Sequence, residues 1–396
     1  MKKIKSIYFF LLIIFFAVSC AKDVSNIIIT DTDPVANIIE AMIQEKEEEK
    51  EEEQVTAEPP MIQQEEKPQA LIQPPAVMVS YSGALLNIFF HPLVARPETA
   101  FSGSQKEHFL EWYVTADEYK KILYELYKRD YVLVDIKELY EVTTTGGRKR
   151  VTYKRPYIPL GKKPMILSID DLSYYDFVRH YASIHKLVID DNNRIAGWTA
   201  NESGGELSYD LDVVTYLEEF IRMYPDFSVR NARGIIALTG YEGVLGYRTH
   251  EMDAPGYQKE KEEAIRVVNR LKELGWHFAS HSWGHPNLPR ISMTWFINDT
   301  NRWDREVRPI LGDTDLFIYP FGAGIEHIEE RHKMLRDRNF NVFFGVGPGF
   351  GFRQREDYIY FDRRNIDGFY FRVFRNRADR LFNIEDVIDE EARRSR

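Results

Sequence analysis

Short apolar runs and longer amphipathic stretches alternate along the chain from about residue 85. Runs rich in Val, Ile, Leu and Phe predict buried strands at 85–91, 131–135, 164–169, 234–238, 276–279, 316–319 and 341–346. Apolar positions three and four apart predict helices at 115–130, 210–223, 258–274, 299–311 and 326–338. Repeated strand–helix units are typical of a parallel α/β sheet, either open or closed into a barrel. In both architectures, functional sites lie at the carboxyl ends of the strands.

Local signals add detail to this outline. Thr115 and Glu118 have the spacing of a capping box at a helix start. A polar, glycine-containing loop is predicted at 143–150. A hairpin is predicted at 186–198, within an irregular insertion at about 181–210.

The first 20 residues have the pattern of a secretory signal. A lysine-rich start precedes an apolar run, Ile7–Val18, that is too short to span a membrane as a mature helix, so residues 1–19 are predicted to be a signal peptide. Ala17–Cys20 resembles the lipid-attachment site of bacterial lipoproteins, and Cys20 is the only cysteine in the chain. Acylation explains a single cysteine in an oxidising compartment better than a free thiol does. The alternative is a plain signal peptide that is cleaved near Cys20.

Residues 20–80 are predicted to be a disordered tether. Residues 21–75 hold 14 acidic and 4 basic side chains, a balance equal to the net charge of −10 of the whole chain. Such a segment buries too little apolar surface to fold alone, so its charge describes a spacer rather than a binding surface. The predicted catalytic domain, residues 81–396, is not basic enough for nucleic acid, and it has no further apolar run of membrane length.

Two histidines and two aspartates supply the candidate chemistry. His281 and His285 are four positions apart, and on a helical turn this spacing brings both rings to one side, within reach of one metal ion. Asp171, which follows a predicted strand, is a candidate third ligand, and Asp170 is a candidate general base for hydrolysis. Each pair alone is often a surface or turn feature. Their common position at strand ends favours a functional site.

At these residues the chain resembles the polysaccharide deacetylases of the NodB-homology type, which form carbohydrate esterase family four. Ser168–Asp171 is similar to the first motif of the family, His281–His285 matches the second in full, and Tyr319–Gly322 is similar to the third. Ile88–Pro92 resembles the opening segment of a poly-N-acetylglucosamine-type subgroup. The resemblance covers about residues 85–375.

The resemblance implies an α/β fold, a distorted (β/α)7-type barrel, and removal of N-acetyl groups from a polysaccharide. It assigns Asp170 as the catalytic base. It implies one divalent metal ion, most commonly zinc, held by Asp171, His281 and His285. It places Tyr319 and Phe321 at the substrate, where a backbone N–H near Phe321 helps to stabilise the oxyanion. The products are acetate and a free amine on the sugar.

The chain departs from the family pattern at two positions. Ile318 stands where many members have an arginine that orients the base; Arg363 and Arg364 are candidates to replace it, and the alternative is that both are surface charges. The late histidine that protonates the leaving amine in the family has no counterpart after His332. His91, at the end of the first predicted strand, is the best replacement, and a packed structural histidine is the alternative.

Several other features of the sequence have a structural explanation at least as good as a functional one. His327 and His332 lie on a helix that is predicted to be exposed. Trp283 and Tyr319 are either sugar-stacking rings or wall packing. The glycine-rich loop at 345–351 fails the spacing of a nucleotide-binding motif, and the sequence has no serine-hydrolase elbow.

The sequence therefore predicts a metal-dependent N-deacetylase that acts on an N-acetylated cell-envelope or extracellular polysaccharide. A lipid anchor at Cys20 places it on the cell membrane or outer membrane, facing the periplasm or the exterior. The sequence does not determine the oligomeric state. The alternative is a non-catalytic glycan-binding or structural envelope lipoprotein on a degenerate deacetylase scaffold.

Overall fold

The structure is a computed structural model that describes residues 76–394. The predicted signal peptide, Cys20 and the predicted tether up to residue 75 lie outside the described residues. Among the helices of the described part, none has both the length and the apolar character that a membrane crossing requires.

Seven parallel strands close into a barrel. They are β1 (Leu86–Phe90), β2 (Lys163–Ile169), β3 (Ile235–Leu238), β4 (His277–Ser280), β5 (Leu316–Ile318), β6 (Val342–Val346) and β7 (Ile359–Asn365). Each strand pairs with the next in chain order, and β7 pairs with β1 between Arg364 and Ile88, which closes the ring. A further strand, Tyr131–Leu133, pairs with the start of β2. The predicted α/β barrel is therefore confirmed.

The barrel strands are buried on both faces, which explains their nearly continuous apolar runs. In β2, Met165 and Leu167 pack in the hydrophobic cluster that contains the helices, whereas Ile166 belongs to a second cluster. Because side chains alternate along a strand, Ile166 faces the barrel interior, and Ser168 and Asp170 continue that face toward the carboxyl end. The site residues of β2 are thus directed inward by strand periodicity.

In the described part of the chain, five longer helices pack on the barrel. They are α1 (Ala116–Lys128), α2 (Val213–Met223), α3 (Tyr257–Glu273), α4 (Met293–Glu306) and α5 (Glu329–Asp337). The predicted capping box is present at α1, where Thr115 and Glu118 each accept the other's backbone N–H. The helix predicted at 299–311 ends at Glu306 because Pro309 cannot continue it. Shorter helices are Pro97–Ala100, Lys106–Trp112, Asp176–Tyr181, Arg308–Leu311, Gly368–Phe374 and Glu390–Arg393.

Outside the barrel, one segment predicted as a loop is part of a hairpin, and one predicted hairpin is confirmed. Residues 143–150, predicted as a loop, form the end of a hairpin between Tyr140–Thr145 and Arg148–Tyr153, because its two central glycines adopt the positive φ of a tight turn. The hairpin predicted at 186–198 is confirmed, since Lys186–Ile189 pairs with Ile195–Thr199. A third strand, Glu206–Ser208, extends it.

Several strands are missing from the sequence-based prediction. Strand β7 is one of them, because the charged residues Asp362–Arg364 interrupt its apolar pattern. Phe352–Gln354 pairs antiparallel with β7. Met78–Ser80, at the end of the segment predicted as a tether, pairs with Tyr157–Pro159.

Candidate metal centre and substrate cleft

A cleft of about 760 Å³ opens at the carboxyl ends of the barrel strands. Asp170 and Asp171 follow β2, His281 and His285 follow β4, and Phe321 follows β5. These distant segments meet because parallel strands of a barrel end at one rim. Seven phenylalanine, tyrosine and tryptophan side chains line the cleft, together with the aspartates and histidines.

Asp171, His281 and His285 converge on one point, and we call them the metal triad. Each offers a ligand atom, and these atoms all lie within 4.8 Å of one another. The His281 Nδ1 atom donates to the Ile318 carbonyl oxygen at 2.8 Å, which leaves the Nε2 lone pair for a metal. Two imidazoles and one carboxylate are a donor set typical of catalytic zinc sites, which keep positions open for water and substrate. The residues present therefore fit a divalent cation.

The segment that carries both histidines is a loop and not the predicted helical turn. Ser282 and His285 have φ values of 60° and 51°, in the left-handed region, so the helical expectation is wrong. Asp299 of α4 holds this loop, because its carboxylate accepts the backbone N–H groups of Trp283 at 2.9 Å and Gly284 at 2.7 Å. Asp299 is not predicted from the sequence, because its distance along the chain from the histidine loop gives no local signal.

The Asp171 carboxylate is held in its ionised form. Tyr175, which is also not predicted from the sequence, donates its hydroxyl hydrogen to Asp171 Oδ1 at 2.7 Å. Burial alone raises the pKa of Asp171, but the charges of His285 and His281 outweigh it and lower the pKa to about 2. An ionised carboxylate is the form that binds a metal. Asp171 also has a φ of 60°, in the left-handed region. Non-glycine residues with such backbone angles cluster at functional sites.

Arg363 forms a two-point ion pair with Asp170. Its Nη1 atom lies 2.7 Å from Oδ1 and its Nη2 atom 2.9 Å from Oδ2, and Nη1 also reaches the Ser168 hydroxyl at 2.9 Å. Arg363 is 0% exposed. Burial raises the pKa of Asp170, but the charges of Arg363 and His281 more than reverse this, so the pKa lies below its ordinary value. Asp170 is therefore an oriented, ionised carboxylate.

Arg364 has a different role from its neighbour. Its guanidinium donates to the carbonyl oxygens of Pro348 at 2.8 Å and Asp379 at 3.0 Å. Successive side chains of β7 point to opposite faces, so only one of the two arginines reaches the barrel interior. The structure thus separates the two candidates that the sequence left open, and neither is a free surface charge.

His91 lines the cleft beside the two aspartates. Its Nδ1 atom lies 3.0 Å from the Trp112 carbonyl oxygen. A carbonyl oxygen can only accept a hydrogen bond, so Nδ1 carries the proton and donates it, and Nε2 is the nitrogen left for a ligand. A second cleft histidine, His108, was not singled out from the sequence. Burial and the charge of His91 lower the pKa of His108.

The structure brings Phe321 to the cleft but not the side chains of Tyr319 or Trp283. Phe321 is 65% exposed, and its ring centroid lies 4.5 Å from that of His285. The Tyr319 ring is fully buried and stacks on Phe343. The Trp283 indole donates to Glu306 at 2.7 Å and is packed in the wall of the fold. Of the proposed sugar-contacting rings, only Phe321 remains available.

The two histidines predicted on one helix differ in position and burial. His327 precedes α5, which begins at Glu329, and it is exposed, as predicted. The prediction for His332 is wrong, because its ring is fully buried. The centroid of this ring lies 4.5 Å from the ring centroid of Phe343 and 4.5 Å from that of Tyr358. Burial lowers the pKa of His332 to about 4. Neither residue lines the cleft.

Solved structures of several bacterial proteins resemble this chain distantly. The Bacillus anthracis protein BA0330 is 12% identical, with a TM-score of 0.42 over 78% of this chain and 69% of its own. The Streptococcus pyogenes deacetylase PplD, in complex with acetate, is 13% identical, with a TM-score of 0.37 over 78% of this chain and 100% of its own. IcaB from Ammonifex degensii is 13% identical, with a TM-score of 0.38 over 74% of this chain and 95% of its own. No curated protein matches the chain in sequence.

A family model also matches part of the chain. Residues 256–336 match the model described as polysaccharide deacetylase. This range includes α3, both triad histidines and the segment around Phe321, whereas Asp170, Asp171 and Arg363 lie outside it. The resemblance to the polysaccharide deacetylases is therefore confirmed for the part of the chain that carries the two histidines, which is similar to the family model.

Proposed function

We propose that the protein is a metal-dependent hydrolase that removes N-acetyl groups from an acetylated polysaccharide. One observation carries this proposal: the metal triad meets the Asp170–Arg363 pair in an aromatic cleft. A metal site beside a positioned, ionised base is the equipment that metal-assisted hydrolysis requires. The polysaccharide deacetylase match supports the same reaction class.

The metal triad would hold one divalent cation, and its donors suit zinc. When bound, the cation supplies a Lewis acid that polarises the acetamido carbonyl and lowers the pKa of water. Asp170 lies next to the triad, with Oδ2 3.9 Å from His281 Nε2. In this proposal Asp170 accepts a proton from the attacking water, while Arg363 keeps the carboxylate ionised and fixes its plane.

His91 supplies the proton that the leaving nitrogen needs. Its Nδ1–H is engaged with the Trp112 carbonyl, so the proton delivered is the one on Nε2 of the imidazolium. The water oxygen bonds to the carbonyl carbon as the carbon–nitrogen bond breaks, which gives acetate and a free amine. The backbone N–H of Phe321, at the same rim, is the proposed donor to the carbonyl oxygen as negative charge develops there.

We also propose that acylated Cys20 holds the enzyme at a bacterial membrane. The support is the apolar run that ends at Cys20, the absence of other cysteines from the sequence, and the acidic, proline-containing spacer that follows. Cys20→Ser should move the protein from the membrane fraction to the soluble fraction of cells. Unchanged membrane association would contradict the anchor.

Acetate release from N-acetylglucosamine oligomers by the zinc-loaded protein tests the proposed reaction. Asp170→Asn should lower turnover about a thousandfold while the bound zinc remains. Zinc binding by the unaltered protein with no acetate release would favour the second candidate, a non-catalytic glycan-binding protein. The missing late histidine favours that candidate, whereas the intact Asp170–Arg363 pair favours catalysis.

A further inference from the structure

Two exposed aromatic surfaces lie on the cleft with the metal triad. Trp112 and Phe369 stack with ring centroids 5.9 Å apart and planes 15° apart, and Trp112 is 41% exposed. We call this pair the Trp112 platform. Phe321 is the second surface and is 65% exposed. All three residues line the cleft, so their open faces are surfaces on which a ligand's apolar face can pack.

The two surfaces occupy different sectors of the barrel rim. The Trp112 platform lies beside β1 and β7, because the Trp112 carbonyl accepts from His91 and Phe369 follows β7. Phe321 follows β5 and contacts His285. Strand β6 stands between these sectors in the ring. The cleft volume of about 760 Å³ suits a ligand larger than one sugar ring.

The charges of the cleft restrict the ligand further. Among the described residues that line it, none is lysine or arginine. Arg363 lies beneath the cleft and is already paired with Asp170. Asp170 and Asp171 line the cleft as ionised carboxylates, so a carboxylate or phosphate on a sugar would lose water and meet like charge there, which is costly.

We propose that the cleft binds a neutral N-acetylated oligosaccharide across at least two sugar rings, one on the Trp112 platform and one on Phe321. This inference rests on the proposed function and specifies its substrate class. The reacting acetamido group belongs to an uncharged polymer chain, and neither a free monosaccharide nor an anionic glycan fills the site.

Matched variants test the inference through chain length. The unaltered protein should release acetate from the N-acetylglucosamine tetramer with a kcat/KM at least about tenfold above that for the monomer, because stacking adds interactions. Trp112→Ala should lower kcat/KM about tenfold for the tetramer and change it little for the monomer. Trp112→Phe should restore most of the kcat/KM that is lost for the tetramer. Trp295→Ala is the control, since Trp295 is 56% exposed on α4 and does not line the cleft.

A binding measurement separates this inference from the proposed reaction. Tetramer binding to the unaltered protein, followed by tryptophan fluorescence, should weaken about tenfold in Trp112→Ala and stay unchanged in Trp295→Ala. Binding that depends on Trp112, with no acetate release from any oligomer, would support the inference and refute the reaction. Acetate release that is equal for monomer and tetramer and unaffected by Trp112→Ala would overturn the inference alone. Equal or tighter binding of an alternating uronate polymer would also overturn it.

Discussion

The two sides of the candidate site are built in different ways. The histidine side is one loop, in which His281 and His285 supply two members of the metal triad and Asp299 of α4 holds the backbone. The base side is assembled from separate strands. Asp170 follows β2, and Arg363 lies in β7, five strands later in chain order, although both belong to one closed ring.

The family comparison reaches only the histidine side. The polysaccharide deacetylase match covers residues 256–336, and so it includes the histidine side and leaves out Asp170 and Arg363. Ile318 occupies the position where the resemblance leads one to expect an arginine, and Arg363 provides the guanidinium from another strand. A closed barrel permits such a replacement because all its strands end at the same rim. The histidine side is thus defined by local spacing and the base side by topology.

The largest expected effect is a difference in zinc content between a variant of the histidine side and a variant of the base side. His285→Ala removes one of three ligands, so the purified protein should lose its zinc and at least about a thousandfold of its activity. Asp170→Asn, on the base side, should lose comparable activity and keep one zinc per chain. Atomic absorption on both variants checks this. Retained zinc in His285→Ala, or lost zinc in Asp170→Asn, would mean that the two sides are assigned wrongly.

The next effect tests whether Arg363 controls the base. Arg363→Met should lower kcat about a hundredfold and raise the pKa of Asp170, because the charge that favours its ionised form is gone. In the proposed reaction Asp170 acts in its ionised form, so the acidic limb of the pH–rate profile should move to higher pH. Arg364→Met is the matched control, since Arg364 contacts only carbonyl oxygens in its hydrogen bonds. An unmoved limb in Arg363→Met would leave Arg363 with a purely structural role.

The sequence predicts the histidine side well and the base side poorly. His281, His285 and Asp171 stand at strand ends that apolar runs identify, and their convergence follows from parallel strands. The choice between Arg363 and Arg364 depends on which face of β7 each residue occupies, and β7 is missing from the prediction because charges break its pattern. No local pattern marks a charged residue as inward-facing when its partner is almost 200 positions away.

The errors also have physical causes. The four-residue histidine spacing fits a helical turn, but Ser282 and His285 take left-handed φ values, which Asp299 stabilises from a separate helix. Tyr319 belongs to a motif yet points into the core, whereas Phe321 in the following turn lines the cleft. His332 is polar on a charged helix, but an aromatic cage excludes it from water. Tertiary contacts decide each case.

A smaller effect should appear when the support of the histidine loop is removed. Asp299→Ala leaves the backbone N–H groups of Trp283 and Gly284 without their acceptor, so the loop loses its fixed geometry. Zinc affinity should fall about 10- to 100-fold, as measured by competition with a chelator. Asp304→Asn on the same helix is the control, because Asp304 pairs with Arg308 and Arg338 instead. Equal losses in both variants would indicate a general effect on α4.

The smallest effect concerns stability outside both sides of the site. The pKa of His332 is about 4 in the folded protein and about 6.5 in the unfolded chain, so between these values the unfolded state binds more protons. The free energy of unfolding should therefore fall as the pH drops from 7 to 4, by as much as about 3 kcal/mol from this residue. His332→Leu should flatten that dependence in urea unfolding, and the exposed His327→Leu should not. An equally steep pH dependence in both variants would mean that His332 is protonated without cost. Zinc content should be unchanged in both, which separates this buried histidine from those of the metal triad.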